Sequence, residues 1–218
     1  MLQKLSLSLV FCCLLVSVLS RSAIAQQTSL PYPEKRITLH LQKATIIRGA
    51  TTLAAQENVA VGLQLSSSGY NEPNIDIDVK GVLLSEVLNM VVQQSKVYAW
   101  EYRDGVINFY PTRDMDPFFT KLLETRIARF KPKSNDKFVI RDAVLDSAEV
   151  KKLMETEKVT ANRFGAPYRP SIYANNADLS TQNMDVRSLL NKIIRESEHN
   201  FYSLSWSQKD KRVFEIGF

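Results

Sequence analysis

Apolar and polar residues alternate in several short stretches of this chain, a pattern that predicts strands buried on one face. In residues 37–41 the alternation is strict, with Ile37, Leu39 and Leu41 on one side. Between such stretches, apolar residues recur every three to four positions, which is typical of amphipathic helices. The predicted order over the first half is strand, helix, strand, strand, helix, strand, strand, at 37–41, 46–58, 59–65, 75–79, 83–95, 98–103 and 106–110.

Local signals support these boundaries. Thr45 stands where the helix 46–58 begins, and its hydroxyl suits an N-cap. Asp104-Gly105 separates the last two predicted strands, and this dipeptide is a strong signal for a two-residue hairpin.

A strand–helix unit of the first half recurs 102 positions later. Ser-Glu-Val-Leu-Asn-Met-Val-Val-Gln-Gln-Ser at 85–95 matches Arg-Ser-Leu-Leu-Asn-Lys-Ile-Ile-Arg-Glu-Ser at 187–197. The spacing is too long for a solenoid unit and suits two small domains. The matched pairs are Ile77 and Leu179, Val82 and Met184, Leu84 and Val186, Val87 and Leu189, Leu88 and Leu190, Asn89 and Asn191, Val91 and Ile193, and Val92 and Ile194.

The second half is a weaker copy of the first. We predict strands at 138–140 and 159–163, helices at 148–158 and 185–197, and a closing hairpin of 201–206 and 212–216. Between the halves, Asp116-Pro117 is a good helix start, for a short helix ending near 123. Residues 125–130 either continue that helix or form a strand, and we favour the strand.

The predicted architecture is therefore α+β, with two small βαββαββ-type modules whose helices pack on short mixed sheets. We assign 1–25 as a signal peptide, 26–110 as the first module, 111–137 as a linker and 138–218 as a second, diverged module. The linker and the start of the second module are basic, and we interpret this charge as a solvated face. Contact with an acidic partner or a lipid head group is the alternative. These basic residues are Arg126, Arg129, Lys131, Lys133, Lys137 and Arg141.

The N-terminus predicts export. Lys4 precedes an apolar run at 5–19, and Ala23-Ile24-Ala25 then offers a signal-peptidase site, so the mature protein should start at Gln26. The run of about 15 residues is shorter than the ~20 that a spanning helix needs, which argues against an uncleaved anchor. We expect a periplasmic or secreted protein without a stable transmembrane segment.

Composition narrows the chemistry. Both cysteines, Cys12 and Cys13, lie in the predicted signal, so the mature chain has no disulfide. The net charge of +5 falls to about +3 when Lys4 and Arg21 are removed, which is too mild to indicate nucleic acid as a partner.

Residues 37–110 resemble the short N-terminal domain shared by secretins and TonB-dependent receptors. The resemblance rests on the element order and on Ile-Asp-Val-Lys-Gly-Val-Leu-Leu-Ser-Glu-Val-Leu-Asn-Met-Val-Val at 77–92, followed by a hairpin. Through the internal repeat it extends to 177–218. It implies two helices packed on small sheets and a docking role in the bacterial periplasm, with no invariant catalytic residue.

Candidate catalytic and metal-binding residues are few. His40 and His199 are the only histidines, and we interpret both as surface or capping residues because no second ligand stands at a useful spacing. Asp76 and Asp78 share a strand face, which indicates a solvated face more readily than a calcium site. We expect no enzyme activity and no cofactor.

The hairpin at 98–110 is the candidate binding surface. Its side chains Trp100, Tyr102, Ile107 and Phe109 are the predicted contacts of an envelope protein that adds a strand to the sheet edge. Two other functions stay open. One is a structural subunit of an envelope complex. The other is an envelope hydrolase that uses carboxylates such as Glu34, Glu101 or Asp104.

Overall fold

The computed structural model describes residues 34–67, 73–163, 177–196, 200–207 and 212–218. The predicted signal peptide and His199 lie outside them. The helices are α1 (Ile46–Glu57), α2 (Leu84–Ser95), α3 (Pro117–Glu124), α4 (Lys137–Leu145), α5 (Ala148–Glu157) and α6 (Val186–Glu196). The strands are β1 (Arg36–Ala44), β2 (Val61–Gln64), β3 (Ile75–Leu83), β4 (Tyr98–Arg103), β5 (Val106–Pro111), β6 (Arg126–Phe130), β7 (Thr160–Ala161), β8 (Thr181–Asp185), β9 (Phe201–Trp206) and β10 (Val213–Gly217).

The first half has two small sheets with helices packed on them. β1 and β3 form an antiparallel pair, and β4, β5 and β2 lie side by side. Thr45 caps α1 as predicted, because its side chain accepts a hydrogen bond from the Arg48 amide at 3.3 Å. The apolar stripes of α1 and α2 close a first hydrophobic core, core 1, over β4, β5 and β2. The buried residues of core 1 are Ile37, Leu39, Leu41, Ala44, Ile46, Ala50, Leu53, Ala54, Val59, Val61, Leu63, Leu65, Ile75, Ile77, Leu84, Val87, Leu88, Val91, Tyr98, Ile107 and Phe109.

The second half repeats this arrangement. β6 pairs with β8 as β1 pairs with β3, and β9, β10 and β7 follow the same order as β4, β5 and β2. The α+β fold of two βαββαββ-type modules is therefore confirmed, with α3 and α4 added to the scheme. Leu88 and Leu190, a matched pair of the sequence repeat, are both fully buried. Asn89 is exposed whereas its counterpart Asn191 is buried.

The two halves are joined at a seam within one six-stranded sheet of order β4-β5-β2-β9-β10-β7. At the seam β2 runs parallel to β9, with Val61 opposite Phe201 and Leu63 opposite Ser203. The Val61 amide donates to the Asn200 carbonyl at 2.8 Å. The residues that the structure describes between Glu34 and Phe218 accordingly form one compact unit.

Two hydrophobic cores lie on the shared sheet. Val61 and Leu63 of β2 face core 1, whereas Gly62 faces the ring of Tyr202 in core 2, because side chains alternate along a strand. Core 2 comprises Ala60, Val106, Phe118, Phe119, Leu122, Leu123, Ile127, Phe130, Ile140, Val144, Leu145, Val150, Leu179, Val186, Leu189, Leu190, Ile193, Ile194, Tyr202, Leu204, Phe214 and Ile216. Two of these residues, Ala60 and Val106, come from the first half of the chain, so core 2 is not built by the second half alone. Core 1 is built by buried residues of the first half, and Phe201 of β9 packs against it.

The strand predicted at 138–140 is wrong, because these residues lie within α4. The Asp136 carboxylate caps α4 by accepting from the amides of Phe138 (2.9 Å) and Val139 (3.3 Å). Ile140 and Val144, one turn apart, enter core 2. A short apolar run cannot by itself distinguish a strand from a buried helix.

The segment at 111–137, expected to be a linker, folds into α3 and β6 and contributes to core 2. Asp116 starts α3 as predicted, with its carboxylate accepting from the Phe118 amide at 2.8 Å. Phe118 and Phe119 are buried beside Trp206, with ring centroids 5.3 and 5.1 Å from the indole ring. β6 pairs with β8, which confirms the strand at 125–130. Arg141, taken as part of a solvated face, is only 7% exposed.

Candidate functional site

The hairpin of β4 and β5 lies at one end of the six-stranded sheet, and β4 is its outermost strand among the described residues. Asp104 and Gly105 both have positive φ angles, 54° and 79°, which identifies the predicted two-residue turn as type I′. The backbone twist of a type I′ turn matches the right-handed twist of β4 and β5, so the hairpin continues the twist of the six-stranded sheet.

The four side chains predicted to contact a partner are separated by the fold. Ile107 and Phe109 are at most 1% exposed and belong to core 1, so their prediction as surface contacts is wrong. β5 lies between β4 and β2, and this face of it is covered. Trp100 is half-buried and donates from Nε1 to Asn89 Oδ1 in α2 at 3.0 Å, while Tyr102 is 40% exposed.

The register of the hairpin fixes which backbone groups of β4 face outward. Arg103 and Val106 flank the two-residue turn and form a hydrogen-bonded pair, and pairs alternate along an antiparallel ladder. Trp100, opposite Phe109, therefore belongs to a pair that is not hydrogen-bonded. Its N–H and C=O point away from β5, which is the orientation that a further strand requires.

The other face of the hairpin forms the floor of a charged groove of about 530 Å³. Arg187 Nη1 lies 3.5 Å from Glu101 Oε1, and Arg103 Nη2 lies 3.8 Å from Asp185 Oδ2. The charges balance, so the groove does not select a partner by net charge. Its charged lining is Glu101, Glu124, Asp185, Arg103, Arg126 and Arg187.

A buried hydrogen bond lies on the same face of the sheet as the groove. The Tyr202 hydroxyl donates to Asn108 Oδ1 at 2.8 Å, linking β9 to β5 across β2. Burial raises the pKa of Tyr202 far above its ordinary value, and the nearby Arg187 only partly opposes this. Tyr202 is therefore neutral and holds the two halves together.

Exposed apolar surface is found at the same end of the sheet. Tyr102 and Met115 are the large apolar or aromatic side chains that stand out as exposed among the described residues, at 40% and 48%. Met115 lines the groove together with Tyr110. The groove could not be predicted from the sequence, because its lining residues lie about 85 positions apart in the chain. The aromatic residues of the hairpin were the one signal in the sequence for this surface.

The other candidate residues are engaged in ordinary surface contacts. His40 Nδ1 lies 3.4 Å from Asp78 Oδ1, and both side chains are exposed. Asp76 accepts from the Lys43 amide at 2.8 Å. Glu34 is exposed at the start of the described chain, and Asp104 accepts from the Ser188 hydroxyl at 3.0 Å. Within the described ranges, no three His, Cys, Asp or Glu side chains are grouped as metal ligands would be.

No protein-family profile, curated protein or solved structure matches this chain. Of the helices that the structure describes, none is both long and apolar enough to cross a membrane.

Proposed function

We propose that this protein is an exported, non-catalytic docking module of the bacterial cell envelope. In this proposal the mature chain starts at Gln26 and binds a partner protein, which adds a strand to the outer side of β4. The resemblance to the short N-terminal domain of secretins and TonB-dependent receptors gives the same expectation, a docking role in the periplasm.

The observation that carries the proposal is the seam between β2 and β9. β9 is the first strand of the second hairpin, and it takes a parallel strand on the side opposite its hairpin partner β10. That added strand is only four residues long. β4 has the corresponding place in the first hairpin, so the fold already contains an example of the contact that we propose for β4.

Side chains at the end of the sheet supply anchors for a partner. Tyr102 and the half-buried Trp100 lie on the β4 face that also carries core 1, and Met115 lies by the groove on the opposite face. Aromatic anchors of this kind contribute about 2 kcal/mol or more at the best interfaces. A strand added to β4 would place side chains on both faces of the sheet. Those on one face could contact Trp100 and Tyr102, and those on the other could contact Met115.

Site-specific photo-crosslinking in the exporting bacterium tests the proposal. A photoreactive residue at position 102 should give a discrete adduct with one envelope protein, whereas the same residue at exposed Lys133 should not. Trp100→Pro removes an outward N–H that strand addition uses, and Trp100→Ala keeps it. Pro should therefore reduce the adduct more than Ala does, at equal thermal stability. Equal adducts from 102 and 133 would reject the docking surface.

Two rival functions have distinct readouts. Hydrolysis of envelope glycans or peptides that disappears in Glu101→Gln would favour the enzyme. Recovery of the protein only in a large, stable complex would favour a structural subunit. Mass mapping of the envelope fraction tests export, because an N-terminus at Met1 in the cytoplasm would contradict it.

A further inference from the structure

A second cavity, of about 200 Å³, lies at the opposite end of the sheet from β4. Its floor is the face of β9 and β10 that points away from core 2, since Ser203 and Ser205 alternate with the buried Tyr202 and Leu204. Gly217 pairs with Ser203, and a Cβ there would stand 2.7 Å from the Ser203 hydroxyl. Small residues thus keep this floor open.

One wall of the cavity carries two cations on successive turns of α4. Lys137 and Arg141 each lie 5.3 Å from the centre of the Phe138 ring. Arg141 is 7% exposed, and it is held by Nε to Asp142 Oδ1 at 3.1 Å and by Nη2 to the Arg163 carbonyl at 2.8 Å. These contacts fix the guanidinium in place and leave Nη1 for another acceptor.

Four hydrogen-bond donors around the cavity have no partner among the described residues. They are Lys137 Nζ, Arg141 Nη1 and the hydroxyls of Ser203 and Ser205. Donors that converge on a partly enclosed space, two of them charged, suit an anion such as a carboxylate.

The cavity lining also includes the Glu215 carboxylate. Glu215 Oε1 accepts from Asn162 Nδ2 at 2.6 Å, and within the described part of the chain Oε2 accepts from no protein group. The asparagine orients the carboxylate, and its second oxygen is available to a donor on a ligand.

We infer that this cavity binds a small zwitterion with a carboxylate and an ammonium group, the chemistry of a free α-amino acid. Lys137, Arg141 and the two serines take the carboxylate, and Glu215 takes the ammonium group. A cavity of about 150 Å³ holds a molecule the size of benzene, so about 200 Å³ admits a small amino acid. This site is separate from the β4 docking surface and does not depend on it.

Calorimetric titration of the intact mature chain tests the assignment with three probes of similar skeleton. L-alanine carries both groups, propionate only the carboxylate and isopropylamine only the amine. We expect saturable binding of L-alanine, with the other two at least roughly tenfold weaker because each lacks one charged contact. No saturable heat with L-alanine, or equal affinity for propionate, would overturn the inference.

Matched variants locate the site. Lys137→Gln should weaken L-alanine binding roughly tenfold, since a charge-assisted contact is lost, and Ser205→Ala roughly threefold. Lys133→Gln, an exposed lysine that does not line the cavity, should leave it unchanged. Glu215→Gln should bring L-alanine affinity down to that of propionate. Equal effects of Lys137→Gln and Lys133→Gln, in variants with unchanged melting temperatures, would reject this site.

Discussion

Gly62 is the residue at which a single methyl group should disturb both halves of the protein. A Cβ at this position would stand 2.5 Å from Cζ of Tyr202 and 2.6 Å from its hydroxyl oxygen. Real side chains do not approach so closely, and the ring is fully buried, so it cannot simply turn into solvent. We therefore predict that Gly62→Ala destabilises the protein.

The loss of stability in Gly62→Ala can be calculated from the displacement of the Tyr202 ring. Overpacking a close-packed site costs about 1–3 kcal/mol. A displaced ring also loses its 2.8 Å bond to Asn108, and an unpaired buried amide oxygen costs a further ~1–3 kcal/mol. Replacing a strand glycine returns up to ~1 kcal/mol of backbone entropy. The expected net loss is about 1–5 kcal/mol.

Urea unfolding followed by circular dichroism measures this loss, with Gly49→Ala in α1 as the matched control. A Cβ at Gly49 would meet Leu41 at an ordinary 3.5 Å, so that variant should gain about 0.5–1 kcal/mol of helix propensity. In a Tyr202→Leu background the cost of Gly62→Ala should fall by at least ~1 kcal/mol. A Gly62→Ala protein as stable as Gly49→Ala would refute the reasoning.

Four further substitutions test other contacts. Tyr202→Phe should cost about 1–3 kcal/mol near neutral pH, because it leaves Asn108 Oδ1 unpaired. Burial raises the pKa of Tyr202, so its contribution to stability is fully present below the pKa of about 10 in the unfolded chain and is lost as the pH rises further. In urea unfolding, the stability of Tyr202→Phe should therefore fall less steeply at alkaline pH than that of the unchanged protein. Leu88→Ala and Leu190→Ala should each cost about 2–5 kcal/mol of unfolding free energy. Because core 1 and core 2 share a sheet, both substitutions should lower the melting temperature of one common calorimetric transition. Two separate transitions would contradict this. Gly105→Ala should cost about 1 kcal/mol in the same assay, since its φ is 79° and its Cβ would stand 3.0 Å from Arg195 Cδ.

Most secondary structure could be predicted because its causes are local. The caps Thr45, Asp116 and Asp185 each accept from an amide two or three residues ahead, and the Asp104-Gly105 turn needs only its own backbone angles. The error at 138–140 had a local cause as well. Asp136 is an N-cap placed just before a Phe-Val-Ile run, and that run also fits a strand.

The arrangement of the halves could not be predicted, because it depends on contacts between distant residues. The seam joins Val61 to Phe201, and its tightness needs a glycine opposite a tyrosine, which no periodicity signals. Ile107 and Phe109 are buried because residues of α1 and α2 pack with them in core 1, on one face of the sheet. Alternation along a strand identifies its two faces. It does not show that core 1 covers one face of the shared sheet and core 2 covers the other.

The parallel seam has a consequence for the history of such a chain. If the two halves arose by duplication, joining them consumed the outer side of β9 in the second copy and the outer side of β2 in the first. A third copy added in the same way after β7 would again use one strand from each neighbour. The chain would lengthen, yet among the strands that the structure describes β4 would still be the hairpin strand at the end of the sheet. An array built by this rule therefore keeps one hairpin strand of the β4 type at one end of its sheet, whatever its number of copies.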